Sequence, residues 1–278
     1  MPETLVTGAT GLVGQAIIEA LLDRGRSVRA VVRSREKAAS LLNGRCELVL
    51  GDVTDRASLE RAIEGCSVVF HAAGLPEQWL PSADIFEQVN VDGTRNMVDV
   101  AREADVDRFV YTSTIDVFQA EVGERFDEST IDPSPKGTPY ERSKQKADRI
   151  VVEALEHWLD AVFLHPSAVY RLGIPASPGL NDLFMKLRDN QLPMLLPGGM
   201  PVVFDRDVGE GHVLAQERAE PGARYILSES FQSLVDIARA VRRETGRSRV
   251  PPIMPRGVAQ VVSWVGERVS SVIGTPPL

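Results

Sequence analysis

The sequence predicts an α/β fold in which a doubly wound parallel sheet carries a smaller C-terminal lobe. Short apolar runs alternate with longer segments of helical periodicity through the first two thirds of the 278 residues, which is typical of a parallel sheet with helices on both faces. A glycine-rich segment follows the first apolar run, where such sheets bind ligands. The alternation is lost after Tyr170, where we expect the lobe to begin.

Compact, valine-rich runs have the composition of strands that are buried on both faces. After the first run, apolar residues recur at Val13, Ala16, Ile17 and Ala20, which is a helical spacing. Strand and helix therefore alternate from the start of the chain. The expected strands are Thr4–Thr7, Val28–Val32, Glu47–Leu50, Val68–His71, Phe109–Thr112 and Val162–His165.

The composition changes in the last third of the chain. Several prolines and the pair Gly198-Gly199 interrupt the pattern, so we expect an irregular lobe over residues 171–278, after a sheet domain over residues 1–170. Within the lobe we expect helices near Leu180–Asn190, Ser233–Thr245 and Val258–Val272 and a short strand at Arg224–Leu227.

Charge and cysteine content argue against several classes of protein. The chain has 39 acidic against 31 basic residues and a formal charge of -8, whereas nucleic-acid-binding surfaces are basic. Its two cysteines, Cys46 and Cys66, favour a reducing compartment, and no Cys/His cluster suggests a metal. No segment resembles a targeting peptide, and none reaches the roughly 18 apolar residues of a membrane helix. We therefore expect a cytoplasmic enzyme or ligand-binding protein without a membrane span.

Three glycines, Gly8, Gly11 and Gly14, follow the first strand and open the first helix. Glycines at this spacing permit a tight turn and a close approach of the backbone to a pyrophosphate, while the helix N-terminus offers free N–H donors. The simpler interpretation is a glycine-rich turn between a strand and a helix. The strand before and the helix after favour a dinucleotide site, so residues 1–170 are predicted to bind one.

The end of the second strand bears on the choice of cofactor. A carboxylate there binds the adenosine ribose of NAD, whereas an arginine accommodates the extra phosphate of NADP. This strand ends in Arg33, followed by Arg35 and Lys37, with no acid at the tip. We expect NADP(H) to be preferred, with NAD(H) possible. The alternative is that these cations are a solvated helix start.

Tyr140 and Lys144 are four residues apart behind Pro139, which places them one turn apart on one helix face. A phenol with a pKa of about 10 is a poor acid or base at neutral pH, and a nearby ammonium lowers that pKa toward the working range. The pair therefore indicates general acid/base catalysis. Two unrelated polar residues at an exposed helix start are the alternative.

Hydroxyl side chains follow the fifth strand, in the segment Tyr111–Thr114. The carboxyl ends of strands in an open α/β sheet are where ligands bind, so a hydroxyl here could donate to a carbonyl and to the alkoxide that develops from it. Hydroxyls at strand ends are also ordinary caps. The glycine loop, the hydroxyls and the Tyr/Lys pair nevertheless occur in the order that one doubly wound sheet requires.

Together these motifs resemble the short-chain dehydrogenase/reductase superfamily, specifically its extended, NAD-dependent epimerase/dehydratase-like branch with a Rossmann fold. The similarity covers nearly the whole chain, and dihydroflavonol reductases and hydroxysteroid dehydrogenases look most alike. It implies that a segment near residues 202–215 returns to pack on the core. The matching segments are Thr7–Gly14, Gly51–Asp55, His71–Gly74, Asn90–Thr94, Tyr111–Thr114, Tyr140 with Lys144, and His165–Tyr170.

The resemblance implies roles for individual residues. Tyr140 would be the general acid/base, Lys144 would bind the nicotinamide ribose and tune Tyr140, and Thr114, or alternatively Ser113, would orient the substrate oxygen. The cofactor would lie along the glycine loop and the strand ends. Its expected contacts are Gly8, Thr10, Gly11, Leu12, Val13 and Gly14 at the pyrophosphate, Arg33 and Lys37 at the adenosine, Asp52 and Val53 at the adenine, Ala72 and Ala73 beneath it, and Pro166, Ser167 and Val169 at the nicotinamide.

Some positions depart from the family pattern. His165 stands where the family often has arginine, and Arg171 and Gln119 stand where it often has glycine. A histidine at a strand end is more often structural than catalytic, and the same holds for His71. Trp79 lies in a loop that should overhang the substrate, and a packing role is the equal alternative.

We therefore expect an NADP-dependent oxidoreductase that reduces a ketone or aldehyde, or oxidises the alcohol, with Tyr140 as the acid/base. The alternatives are a sugar-nucleotide epimerase or dehydratase that retains its cofactor, and a non-catalytic NADP-binding regulator. The small-molecule pocket is expected within Leu75–Val89, Phe118–Thr138 and Arg171–Phe204, and the family implies a homodimer. Extended-branch relatives usually continue for several tens of residues, so the chain is expected to be truncated or naturally short.

Overall fold

Parallel strands form the main sheet of the protein, in a computed structural model that describes residues 3–42, 44–76, 80–119, 123–172, 179–255 and 257–258. Apolar stretches of four to six residues, most of them containing valine, form the strands of this sheet, as expected for strands buried under helices. The strands are β1 (Thr4–Thr7), β2 (Val28–Val32), β3 (Glu47–Leu50), β4 (Val68–His71), β5 (Arg108–Thr112), β6 (Ala161–Pro166), β7 (Ala168–Tyr170), β8 (Gly199–Phe204), β9 (Arg224–Leu227) and β10 (Ser230–Ser233).

The main sheet has seven strands in the order β3-β2-β1-β4-β5-β6-β9, and each neighbouring pair is parallel. The chain starts in the middle at β1, moves outward to β3, crosses back to β4 and then moves outward to β9. This reversal confirms the predicted doubly wound sheet. In folds of this kind, ligands bind at the carboxyl ends of the strands where the order reverses, which here are β1 and β4.

Helices cover both faces of the sheet. On one face, α3, α5 and α6 pack over strand residues such as Leu5, Val69 and Phe109. On the other face, α1, α2 and α8 pack over Val6, Phe70 and others. The helices are α1 (Leu12–Asp23), α2 (Arg35–Leu42), α3 (Arg56–Ile63), α4 (Asp84–Phe86), α5 (Gly93–Glu103), α6 (Pro139–His157), α7 (Leu180–Arg188), α8 (Asp205–Arg218) and α9 (Leu234–Thr245), with a π-helical turn at Glu87–Asp92 and a 3-10 turn at Ile115–Val117.

One strand differs from the sequence prediction. Glu47–Leu50 was expected to be buried on both faces, but β3 is the edge strand and is only partly buried, with half of Leu50 exposed. The apolar composition of a short strand does not distinguish an edge from the centre of a sheet, because that position depends on which strands pair.

The last third of the chain is more regular than the sequence predicts. Strand β8 pairs in parallel with β7 and antiparallel with β10 to form a second, three-stranded sheet. The sequence predicts neither β8 nor β10, and β8 contains Gly199 and Pro201, both of which are residue types that are rare inside strands. The strand Arg224–Leu227 forms, but it pairs with β6 in the main sheet and does not belong to the lobe where it was predicted, because strand pairing depends on partners distant in the sequence. The helices near Leu180 and Ser233 form as expected, whereas the helix predicted at Val258–Val272 lies almost wholly outside the described residues. The division of the chain at residue 170 stays a prediction.

Helix α8 returns to the main sheet and packs against α1. The two helices approach closely at Gly209, where an added Cβ would lie only 2.2 Å from the carbonyl oxygen of Ala16. One turn later, His212 is fully buried, and its Nε2 lies 2.9 Å from the hydroxyl of Thr112. Helix α8 is therefore connected to the end of β5 through the contact between His212 and Thr112.

None of the helices within the described part of the chain combines the length and the apolar character that crossing a membrane requires.

Candidate active site

The glycine loop connects β1 to α1 through tight backbone contacts. Gly8 has a φ of +68°, a conformation that favours glycine, and an added Cβ would lie 2.4 Å from the carbonyl oxygen of Ala72. A Cβ on Gly14 would lie 2.2 Å from the carbonyl oxygen of Gly8. The loop, the helix and the end of β4 therefore lie in backbone contact, which leaves no room for a side chain at Gly8 or Gly14.

The first turn of α1 keeps its donors available. Its N-cap is Gly11, and no side chain caps it. The side-chain amide of Gln15 donates to the carbonyl oxygen of Thr10 at 3.0 Å and so connects the helix to the loop. Thr10, Leu12 and Val13 thus lie around a helix N-terminus with free N–H groups, an arrangement that fits a pyrophosphate.

The strand ends beside the loop are fixed by hydrogen bonds. The backbone N–H of Ala73 donates to Thr7 Oγ1 at 3.3 Å, and Thr7 Oγ1 lies 2.8 Å from Nδ1 of His71. The other ring nitrogen of His71 lies 3.1 Å from Thr94 Oγ1. Burial, with a smaller effect of the Lys144 charge, lowers the pKa of His71 to about 3. His71 is therefore neutral and joins β1, β4 and α5, as a structural histidine does.

The expected adenosine side lies at the ends of β2 and β3. Asp52 accepts hydrogen bonds from the N–H and the hydroxyl of Thr54 at 2.9 and 2.8 Å, which fixes the turn after β3. Val53 is buried, and its carbonyl accepts from the amide of Asn96 at 2.9 Å. Arg33 and Lys37 are exposed, and within the described residues neither has a carboxylate at ion-pair distance. Both cations are therefore available to an anionic ligand.

Helix α6 begins with a complete capping box. The Thr138 hydroxyl accepts from the N–H of Glu141 at 3.1 Å, and the Glu141 carboxylate accepts from the N–H of Thr138 at 2.8 Å, with Pro139 in the first turn. This start fixes the register of the helix, so Tyr140 and Lys144 share its buried face. The sequence prediction that both residues lie one turn apart on one face is confirmed.

Lys144 is buried at the end of β5. Its ammonium donates to the carbonyl oxygen of Thr112 at 2.9 Å and to the hydroxyl of Tyr111 at 3.2 Å. Burial lowers the pKa of Lys144 from 10.5 to about 8, and the charge of Asp148 opposes that shift. Tyr140 is 8% exposed and packs its ring edge-on against Phe86. The arrangement places a buried cation and a phenol near the carboxyl end of β5, where ligands of such sheets bind.

Both candidate hydroxyls at the end of β5 are buried and hydrogen-bonded. Ser113 donates to a carboxylate oxygen of Asp148 at 2.9 Å. Thr114 donates to the carboxylate of Asp116, also at 2.9 Å. Burial raises the pKa of Asp116, while the bond from Thr114 lowers it. Sequence reasoning missed both carboxylates, although Asp148 lies one turn beyond Lys144 on the same helix face, a spacing that could have revealed it.

The expected nicotinamide side is formed by the link between β6 and β7. Pro166 ends β6, and the N–H of Ser167 donates to the carbonyl of Leu227 at 3.0 Å. The hydroxyl of Ser167 is buried and has no hydrogen-bond partner within the described residues. Val169 lies in β7 opposite Val203. An unpartnered buried hydroxyl usually has a ligand or water partner, so this link fits the amide of a nicotinamide.

Asn90 connects the loop after β4 to the helix that carries Tyr140. The π-helical turn at Glu87–Asp92 buries Asn90, whose Oδ1 accepts from the N–H of Leu75 at 2.8 Å and whose Nδ2 donates to Ser143 Oγ at 2.8 Å. Such π-helical turns are frequent at functional sites. Asn90 was recognised only as part of a motif, because nothing in its sequence neighbourhood predicts a π turn.

The expected substrate region is described in part. Trp79 and residues 120–122 and 173–178 lie outside the described residues. Arg171, which departs from the family pattern, pairs with Glu19 of α1 and with Asp205 of α8, the latter at 3.1 Å. Its side chain thus ties the end of the β6–β7 segment to two helices. No group of three or more potential metal ligands occurs in the described part of the chain.

Comparisons with known proteins agree with this geometry. The model of the NAD dependent epimerase/dehydratase family matches residues 4–226. A Synechocystis sp. protein named "Putative dihydroflavonol 4-reductase" is 31% identical, over 98% of this chain and 81% of its own length. A ketoreductase of Stigmatella aurantiaca that acts on a farnesylated dihydroquinoline oxide is 30% identical, over 95% of this chain and 79% of its own. The crystal structure of gox2253 has a TM-score of 0.86 and 30% identity and covers 100% of this chain and 85% of its own.

Proposed function

The chain belongs to the NAD dependent epimerase/dehydratase family, and on this premise we propose that it is an NADPH-dependent reductase of ketones or aldehydes. The same enzyme would oxidise the corresponding alcohols in the reverse direction. One observation carries the proposal: Tyr140 and the buried ammonium of Lys144 share one helix face at the carboxyl end of β5. The two relatives named above as reductases support the reaction class.

Each side chain of the site has a separate role in carbonyl reduction. When bound, the nicotinamide supplies the hydride that adds to the carbonyl carbon. Tyr140 gives its phenolic proton to the oxygen, where negative charge develops, and Thr114 donates a hydrogen bond to the same oxygen. Lys144 stabilises the phenolate that remains. Its pKa is about 8, so its amine is mostly charged at neutral pH. In the reverse direction, Tyr140 takes the proton of the alcohol.

We infer a preference for NADP(H) from the end of β2. Arg33 can donate two parallel hydrogen bonds to a phosphate, and Lys37 adds a second positive charge one turn along. Both are exposed and unpaired among the described residues, although the full chain has a formal charge of -8. No carboxylate stands at the strand tip to bind a ribose diol, which is the feature expected for NAD.

The test follows the consumption of NADPH and of NADH by absorbance with a panel of ketones and aldehydes. We expect turnover with NADPH that the substitution Tyr140→Phe abolishes while the affinity for NADPH, measured by thermal shift, is kept. The control is Tyr225→Phe, because Tyr225 is 40% exposed on β9. Wild-type turnover by the Tyr140→Phe variant would exclude the proposed acid/base.

The alternative within the same family is epimerisation or dehydration of a nucleotide sugar, in which the cofactor is reduced and reoxidised in one cycle. That reaction requires the cofactor to stay bound. Purified protein that retains NAD through dilution and shows no net NADPH consumption would favour this alternative. A protein that binds NADPH but reduces none of the compounds, and whose NADPH affinity is unchanged by Tyr140→Phe, would instead be a cofactor-binding regulator.

A homodimer is a further proposal from the family resemblance, through the helical segments 84–103 and 140–156. The exposed pair of Lys146 and Glu87, whose atoms are 2.9 Å apart, lies where these two segments meet. Light scattering coupled to size exclusion measures the mass in solution, and a mass of one chain at micromolar concentration would exclude the dimer.

A further inference from the structure

A buried ion pair lies directly behind the candidate hydroxyls. The guanidinium of Arg224, on β9, binds Asp148, on α6, in a bidentate manner: Nη2 lies 2.7 Å from Oδ1, and Nη1 lies 3.1 Å from Oδ2. Asp148 is 4% exposed. The guanidinium also lies over the ring of Phe163, 4.1 Å from its centre. These contacts hold both charges in one geometry.

The same guanidinium fixes the state of His165. Its Nη1 lies 3.2 Å from Nε2 of His165, and Nδ1 of His165 lies 3.1 Å from the carbonyl oxygen of Thr114. A guanidinium only donates and a carbonyl only accepts, so Nε2 must carry the lone pair and Nδ1 the hydrogen. Burial lowers the pKa of His165 to about 4, which agrees with a neutral ring. One tautomer therefore satisfies both neighbours.

Two consecutive residues at the end of β5 are attached to this network by different groups. Ser113 is attached through its side chain, because its hydroxyl donates to Asp148. Thr114 is attached through its backbone, because its carbonyl accepts from His165. The Thr114 hydroxyl thus stays outside the network, with Asp116 as its partner. Rotation of that hydroxyl can redirect its proton from Asp116 to a substrate oxygen.

We propose that Asp148, Arg224 and His165 are positioning residues. They keep the Ser113 hydroxyl bound to Asp148, and they hold the backbone of Thr114 so that its hydroxyl can donate to the substrate oxygen. The inference rests on the proposed reductase function and deepens it. It selects between the two hydroxyls that the sequence left open. It also connects β9 to the site, since Arg224 on this strand contacts Asp148 and His165.

The first test compares two substitutions of His165. His165→Gln keeps one donor and one acceptor, whereas His165→Phe keeps an aromatic ring and removes both. We expect His165→Phe to lower kcat roughly ten- to hundredfold, the size of effect that misplacing a catalytic group by about 1 Å produces. The KM for NADPH should stay within about twofold, and His165→Gln should restore most of kcat, since the hydrogen bond of His165 to the strand end goes to the Thr114 backbone carbonyl.

The control is a second buried arginine at the opposite end of the sheet. Arg108 binds Asp160 at 3.0 Å and the carbonyl of Ala219 at 2.8 Å, far from the strand ends that carry the hydroxyls. We expect Arg108→Gln to lower the melting temperature and leave kcat unchanged. Equal loss of kcat in Arg108→Gln and His165→Phe would mean that both act through stability, and would overturn the proposal.

A second measurement does not depend on activity. Nitrogen-15 NMR of the histidine ring reports which nitrogen is protonated, and we expect His165 to stay neutral with hydrogen on Nδ1 between pH 6 and pH 8, because its pKa is about 4. Hydrogen on Nε2, or a charged ring, would overturn the network. If the wild-type protein reduces none of the carbonyl compounds, the proposed function fails, while this measurement still decides whether the network forms.

Discussion

Replacing Lys144 by methionine should stabilise the protein at neutral pH while it removes activity. Lys144 carries its charge in a buried position, and the fall of its pKa from 10.5 to about 8 corresponds to about 3 kcal/mol against folding when the side chain is charged. Methionine removes this cost, since it has a similar length and no charge. It also removes the hydrogen bonds to Thr112 and Tyr111, a loss of about 1 kcal/mol each. The net gain at pH 7 is therefore about 1 kcal/mol.

The pH dependence of this difference is the sharper test. Between pH 8 and pH 10.5 the unfolded chain holds a proton on Lys144 that the native state has released, so the contribution of this group to stability rises with pH in that window. By pH 9.5 the cost of the charge falls from about 3 to about 1 kcal/mol. The advantage of the Lys144→Met variant over wild type should accordingly shrink by about 2 kcal/mol between pH 7 and pH 9.5.

The assay is urea unfolding of wild type and variants at pH 7 and pH 9.5. The matched control is Lys146→Met, since Lys146 lies on the same helix but is 53% exposed in its pair with Glu87. Its stability difference should be small and the same at both pH values. A Lys144→Met difference that does not change between the two pH values would refute the reasoning, because it would mean that the buried amine titrates as it does in the unfolded chain.

Two further predictions concern the cofactor. Arg33→Glu should raise the KM for NADPH roughly ten- to hundredfold relative to the KM for NADH, because a charge-assisted hydrogen bond to a phosphate contributes about 1.5–3 kcal/mol. Steady-state kinetics with both cofactors measures the ratio of the two KM values. An unchanged ratio would show that Arg33 does not bind the cofactor. Gly14→Ala should abolish NADPH binding and lower the melting temperature, because its Cβ would lie 2.2 Å from the Gly8 carbonyl, whereas Gly137→Ala, with only Glu141 within 4 Å, should do neither in a thermal-shift assay.

Sequence alone predicted the parts of this protein that depend on local spacing. The glycine loop, the strands of the main sheet and the shared face of Tyr140 and Lys144 all follow from residues within a few positions of one another. The edge position of β3 and the pairing of β8 with β10 depend on distant partners. Their residues carry no local signal for that pairing, and Gly199 and Pro201 even argue against a strand.

The candidate site shows the same limit. Arg224 is 76 residues from Asp148 and 59 from His165, so no spacing rule connects them. The sequence predicts a structural role for His165 because it lies at a strand end, and His165 also stands where the family often has arginine. In the structure an arginine does contact His165, but this arginine is Arg224 of β9. The chemistry at the strand end was therefore predictable, and the strand that supplies the charge was not.

The two buried cations of the site depend on each other through Asp148. This carboxylate lies one turn from Lys144 on α6, close enough for its charge to raise the pKa of Lys144. It gives its direct contacts to Arg224 and Ser113, and Lys144 has no carboxylate at ion-pair distance within the described residues. Because Asp148 is already paired, burial dominates and the pKa of Lys144 falls to about 8. An ammonium without a direct counterion is free to favour the Tyr140 phenolate, so the ion pair that orders the hydroxyls also leaves Lys144 able to serve the acid/base.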